Sequence, residues 1–114
     1  MSNDLKDRVA IVTGASKGIG ASIAKHLAQE GAAVVVNYSS SKEGADRVVA
    51  EIKSKGGKAI AVKANIAVEE EINHLFDETL KAFGKVDILV NNAGIYEFCP
   101  VEEVTKVFNC FFRS

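Results

Sequence analysis

The stretch Thr13-Gly14-Ala15-Ser16-Lys17-Gly18-Ile19-Gly20 constrains this chain more than any other. Val9, Ala10, Ile11 and Val12 precede it, an apolar run that suits a buried parallel strand. Behind it, Ile19, Ile23, Ala24, Leu27 and Ala28 recur at helical spacing and are expected to share one face. A strand that turns through glycines directly into a helix is an anion site. The first helical turn carries N–H groups with no intrahelical partner, and the helix dipole places about half a positive charge there. Gly14 permits the tight exit from the strand. Gly18 lets backbone approach a diphosphate with no side chain between them, and Gly20 lets the helix pack closely on its sheet. A plain structural turn would use the same glycines, so the rest of the chain has to discriminate.

The rest alternates strand and helix. Strands are expected at about 8–13, 33–37, 58–62 and 86–91, and helices at about 18–31, 42–55 and 68–83. The second helix has Ala45, Val48, Val49 and Ile52 at i, i+3, i+4, i+7, and Gly56-Gly57 stops it. The third turns Ile72, Leu75, Phe76, Leu80 and Phe83 inward, opens on Glu69, Glu70 and Glu71, and ends at Gly84. This order implies an α/β fold, a Rossmann-type doubly wound parallel sheet with right-handed crossovers, strand order 3-2-1-4, truncated after about four strands. The switch point then lies between the first and fourth strands, beside the glycine loop. With 114 residues and a 47% apolar share, the chain has the size and core of one domain.

Charge excludes some partners. A net charge of −1 offers no long-range attraction to nucleic acid or an anionic membrane. No segment has a secretory apolar core or membrane-span length, so a cytoplasmic setting is expected. Cys99 and Cys110 have no metal-ligand or Cys-x-x-Cys spacing and are expected as reduced thiols. His26 and His74 lie mid-helix without a partner at metal or relay spacing, so no metal site is expected.

The end of the second strand, Asn37-Tyr38-Ser39-Ser40-Ser41-Lys42, bears on the ligand. Dinucleotide folds place an acidic residue about 20 positions past the glycine loop to hold the adenosine ribose. Asn37 follows Gly18 by 19 positions, and no carboxylate occurs from Gly31 to Lys42. A carboxylate there would repel a 2′-phosphate by about 4 kcal/mol at ~4 Å and intermediate dielectric. Ser39, Ser40 and Ser41 can donate hydroxyls, and Lys17 and Lys42 add positive charge. NADP is therefore expected in preference to NAD, with NAD still possible. The plainer alternative is a polar loop in which Ser41 only caps a helix.

The pattern TGASKGIG has glycines at G-x-x-x-G-x-G, and Asn91-Asn92-Ala93-Gly94 follows the fourth strand. Together they resemble the cofactor-binding half of the short-chain dehydrogenase/reductase family over about residues 5–100. The Asn37-Tyr38 loop is similar to that of 3-oxoacyl-carrier-protein reductases and glucose dehydrogenases. The resemblance implies hydride transfer between a nicotinamide cofactor and an alcohol or carbonyl. It assigns cofactor contacts to Gly14, Ser16, Lys17, Gly18, Ile19, Gly20, Asn37, Tyr38, Ser39, Ser40, Asn65, Ile66, Asn91, Ala93 and Gly94. Asn65 stands where the family usually has an adenine-contacting aspartate, and it can still donate and accept.

Past Pro100 the resemblance fails, so residues 1–100 are expected as the NADP-binding half and 101–114 as a divergent helix or tail. The family's catalytic serine, tyrosine and lysine have no counterparts, and Asn109 is out of register for its catalytic asparagine. Tyr38 and Lys42 match Tyr-x-x-x-Lys but sit on the adenosine side, so no catalytic residue is assigned. In the family the tyrosine exchanges the substrate proton; without it the chain is expected to be inactive alone. An open fourth-strand edge is expected to pair with other chains, giving self-association or pairing with related subunits. Two functions follow: the NADP(H)-binding portion of an oxidoreductase, or a non-catalytic nucleotide-binding or interaction fragment.

Overall fold

The computed structural model describes residues 5–91 and the backbone of 97–100. The chain runs β1 (Val9–Val12), α1 (Gly18–Gln29), β2 (Ala33–Tyr38), α2 (Lys42–Ser54), β3 (Lys58–Lys63), α3 (Glu69–Phe83), β4 (Ile88–Asn91) and β5 (Glu97–Pro100). β3, β2, β1 and β4 lie side by side in that order, all parallel. The 3-2-1-4 parallel sheet expected from the alternation is therefore present.

The open edge expected at β4 is not. β5 pairs antiparallel along it, with Ile88 opposite Pro100 and Asn91 opposite Glu97. Among the described residues the sheet has five strands and β5 is its outer one. A proline can occupy such an edge because no further strand needs its missing N–H.

β1, β2 and β4 are buried throughout, as parallel strands covered on both faces must be. Strand alternation splits the core in two. Ala10, Val12, Val34, Val36 and Val90 face α1 and α2 through Ala24, Leu27, Ala45, Val48 and Ile52. Ile11, Val35, Val62 and Leu89 face α3 through Ile72 and Leu75.

Two expected inward residues are exposed. Ile19 is 67% exposed and Leu80 48%. At about 100° per residue, Ile19 lies ~140° around α1 from the buried Ala24, and Leu80 lies ~80° around α3 from Ile72. Thr79 takes the inward place on α3, buried, with its Oγ1 donating to the Leu75 carbonyl at 2.8 Å. That bond satisfies the hydroxyl inside the helix and makes a polar residue tolerable in the core.

At the amino edge of the sheet, Asp87 ties β1 to the approach to β4. Its Oδ2 accepts from the Val9 N–H at 2.8 Å, Lys85 Nζ lies 3.2 Å from that oxygen, and Arg8 lies 3.6 Å from Oδ1. Partial burial acts to raise the Asp87 carboxyl, but the Val9 N–H, Lys85 and Arg8 together hold it below the usual carboxylate range.

Candidate functional site

All three helices begin at the carboxyl edge of the sheet, and their first turns differ. α1 starts after Lys17 with no side-chain cap and no acidic residue in its first turn. α3 starts with Glu69, Glu70 and Glu71, and Glu71 Oε1 accepts from the Asn65 N–H at 2.8 Å. Asn65 Oδ1 accepts from the Ala67 N–H at 2.9 Å, closing the turn that leads into the helix. α2 has one acid, Glu43, and no side-chain cap from Ser41. The positive end of α1 is therefore the one left uncompensated by protein charge.

The loop before α1 has the form its glycines allow. Gly14 has φ +60° and Gly18 φ +63°, the left-handed region that favours glycine. A Cβ at Gly18 would meet nothing within 4 Å. The loop thus opens onto free space at a residue without a side chain. Ile19 stands exposed at its mouth, and Gly20 is buried against the fold.

The loop is held from beneath by β2. The Gly14 N–H donates to Asn37 Oδ1 at 3.2 Å, and the Ala15 N–H donates to the Asn37 backbone carbonyl at 2.9 Å. Asn37 is 2% exposed, and its Nδ2 donates to the carbonyls of Val62 at 3.3 Å and Ala64 at 3.1 Å. At the β1–β4 seam, the buried Thr13 Oγ1 donates to Asn91 Oδ1 at 3.1 Å. Two of the three asparagines assigned to the ligand, Asn37 and Asn91, therefore turn their side chains into the protein, while Asn65 stays exposed.

Tyr38 is 9% exposed, its ring packed in the core with β2, α1 and α2. It ends β2, which lies between β3 and β1, so Tyr38 and Lys42 stand on the far side of β1 from the β1–β4 switch point. Ser39 and Ser40 are exposed beside it, as are Lys17 and Lys42. Lys42 Nζ lies 3.7 Å from Asp46 Oδ2. Asn65 is exposed and Ile66 half-buried at the end of β3. Ala93 and Gly94 lie outside the described residues, as do Asn109 and Cys110.

Two contributors escaped sequence reasoning. Lys63 is in register with Tyr38 on the neighbouring strand and is exposed, bringing a further cation to the same corner. Gly44, in the first turn of α2, lies so close to the loop that a Cβ there would stand 2.5 Å from the Ser16 carbonyl oxygen. Parallel register and helix approach are tertiary facts, and neither has a sequence signature.

A cavity of about 560 Å³ opens at the opposite, amino edge. Lys25 and Lys55 on its wall are paired with Glu51, at 2.8 and 4.0 Å. The carboxyl ends of the helices point that way, which disfavours an anion. Among the described residues there is no acidic, cysteine or histidine cluster able to hold a metal, and no helix long and apolar enough to cross a membrane.

Parallel strands in the order 3-2-1-4, with the switch point beside a glycine turn, define a Rossmann-type α/β fold. The short chain dehydrogenase family model matches residues 8–110, and the chain belongs to that family. It is 58% identical over 102 residues to an uncharacterized oxidoreductase of Methylorubrum extorquens, covering 90% of this chain and 41% of that one. It is 47% identical over 104 residues to the tetrahydroxynaphthalene reductase of Pyricularia oryzae, covering 91% of this chain and 37% of that one. A short chain dehydrogenase from Burkholderia cenocepacia, solved in complex with NADP, superposes with a TM-score of 0.77 at 42% identity, over 93% of this chain and 44% of that one. The chain thus spans about two fifths of the length of the relatives it matches.

Proposed function

We propose that the carboxyl edge of this sheet binds NADP(H), and that the chain is the NADP(H)-binding portion of a short-chain dehydrogenase/reductase acting on an alcohol or carbonyl. The start of α1 carries this reading: an uncapped, acid-free helix N-terminus behind two glycines of positive φ. Backbone N–H groups from Ser16 to Gly20 receive the diphosphate. Ser39 and Ser40, with Lys17, Lys42 and Lys63 around them, take the 2′-phosphate. Asn65 and Ile66 border the adenine. Asn91 lies towards the nicotinamide, with Ala93 and Gly94 assigned there by family resemblance. Bound NADPH supplies a hydride.

The NADP complex of the Burkholderia relative supports the cofactor, and the name of the Pyricularia relative supports the reducing direction. No residue of this chain is assigned to proton transfer, so the purified chain binds cofactor without turning over a carbonyl. Association with other subunits, if it uses the sheet, runs through β5 rather than β4.

Titration of the purified chain with NADPH and NADH, followed by nicotinamide fluorescence, tests the reading. NADPH binds at least about tenfold more tightly, a modest part of what one favourable charge contact can contribute. Equal affinities remove the 2′-phosphate assignment, and no saturable binding of either removes the function. Oxidation of NADPH by a carbonyl with the purified chain alone overturns its catalytic incompetence.

A further inference from the structure

Asn37 is the last residue but one of β2, within the stretch where the acidic ribose ligand of a dinucleotide fold is sought, yet its side chain faces the protein. Its Oδ1 accepts from Gly14 N–H at 3.2 Å, and its Nδ2 donates to two carbonyls of the β3 end, Val62 and Ala64, at 3.3 and 3.1 Å. Its backbone carbonyl takes the next loop N–H, that of Ala15, at 2.9 Å. One buried residue therefore holds two successive loop amides and ties them to two strands. The partners define the side chain's chemistry. Gly14 N–H donates to this side chain while the Val62 and Ala64 carbonyls accept from it, so a neutral amide in one orientation makes all three bonds. A carboxylate would keep the first bond and set a bare oxygen against two buried carbonyls.

We propose that Asn37 is a positioning residue for the glycine loop and takes no part in choosing between NADP and NAD. It orients the amides that follow Ala15 towards the diphosphate. The absence of an acid at position 37 is then required by the β3 carbonyls rather than by a 2′-phosphate. Discrimination falls to groups that face outward at the same corner: Ser39, Ser40 and the cations Lys17, Lys42 and Lys63. This inference rests on the cofactor-binding reading above, and its test separates the two.

The experiment is Asn37→Ala, which removes the amide without adding a charge that would act on a 2′-phosphate through space, in the full 114-residue chain, titrated with NADPH and NADH well below its melting temperature, beside the wild type. The diphosphate is common to both cofactors, so both dissociation constants should rise together by about tenfold, the factor for one misdirected hydrogen bond, and their ratio should stay at the wild-type value. A ratio shifted towards NADH shows that residue 37 meets the adenosine ribose or its phosphate and overturns the proposal. Unchanged constants with only a lower melting temperature reduce Asn37 to a structural residue and overturn it equally. Wild-type chain that binds neither cofactor removes the function, and this role with it.

Should the variant not fold, the unaltered chain provides the second measurement. Amide exchange by NMR should show the Asn37 side-chain protons slowed relative to those of the exposed Asn65 before any cofactor is added. Exchange as fast as that of Asn65 overturns the clamp.

Discussion

The first turns of α1 and α3 lie on the same edge of the same sheet and are built in opposite ways. α3 neutralises its own positive end: three glutamates occupy its first turn, and Glu71 reaches back to the Asn65 N–H. α1 has neither acid nor side-chain cap, and a glycine loop with two positive-φ residues leads into it. Neither helix has a side-chain bond from its N-cap residue, so the contrast lies in first-turn charge, each carboxylate contributing about 0.3–1 kcal/mol. The difference teaches that α1 forgoes an internal stabilisation that α3 takes. Forgoing it leaves donors and positive potential for an anion from outside.

Making α1 resemble α3 should have the largest effect. Ile19→Glu places a carboxylate in the first turn at a position 67% exposed, so folding should survive. NADPH affinity should fall by about 100-fold or more, since like charges a few ångströms apart repel by several kcal/mol at intermediate dielectric. A fluorescence titration reads this directly, and affinity within twofold of wild type would break the comparison.

Closing the gap beside the loop comes next. Gly44→Ala sets a Cβ against the Ser16 carbonyl at 2.5 Å and against Ser41 Oγ at 2.9 Å, so α2 or the loop must shift. Overpacking of this kind costs ~1–3 kcal/mol. A thermal melt should show that loss, and NADPH affinity should fall by about tenfold because the loop is the part that yields. A lower melt with unchanged affinity would show that α2 moves instead.

The reverse change, making α3 resemble α1, should be smaller. Glu71→Ala frees the Asn65 N–H and removes one first-turn charge. It should destabilise the chain by about 1 kcal/mol in urea unfolding and change NADPH affinity by less than about threefold. A tenfold loss of affinity would mean that the α3 turn shapes the adenine end more strongly than the α1 comparison allows.

The amino edge supplies the smallest effect and a control. Asp87 has its carboxyl held below the usual range, so its charged form is favoured by folding. That contribution is present above the unfolded carboxylate value, near about pH 4, and is lost as pH falls through the lower folded value. Urea midpoints should therefore decline below about pH 4, and Asp87→Asn should flatten the decline at a cost of roughly 1 kcal/mol at neutral pH. Cofactor affinity should not change, because Asp87 lies at the other end of β1 from the loop.

Much of this architecture was legible in the residues because it is local. Apolar runs such as Val34-Val35-Val36 mark strands buried on both faces, and the strand–helix alternation leads to parallel pairing and the 3-2-1-4 order. The glycine turn before α1 was legible for the same reason: glycine is the residue that takes φ near +60° without strain, so Gly14 and Gly18 announce it. Helix faces were read less well at their rims, where Ile19 and Leu80 fall outside the stripe that Thr79 completes.

Tertiary structure alone decided what depends on contacts between distant segments. Position 37 identifies an asparagine at a strand end but not where its amide points; that is set by carbonyls 25 and 27 residues further on. Lys63 comes beside the end of β2 only through parallel register with Tyr38, and Gly44 matters only because α2 comes down on Ser16. β5 covers β4 through backbone pairing, whose donors and acceptors are the same in every residue but proline. Side-chain pattern therefore specified which segments become strands and helices and which helix start is left without acids. Packing specified which polar groups remain available to meet it, because a hydrogen bond made inside the fold is no longer offered outside.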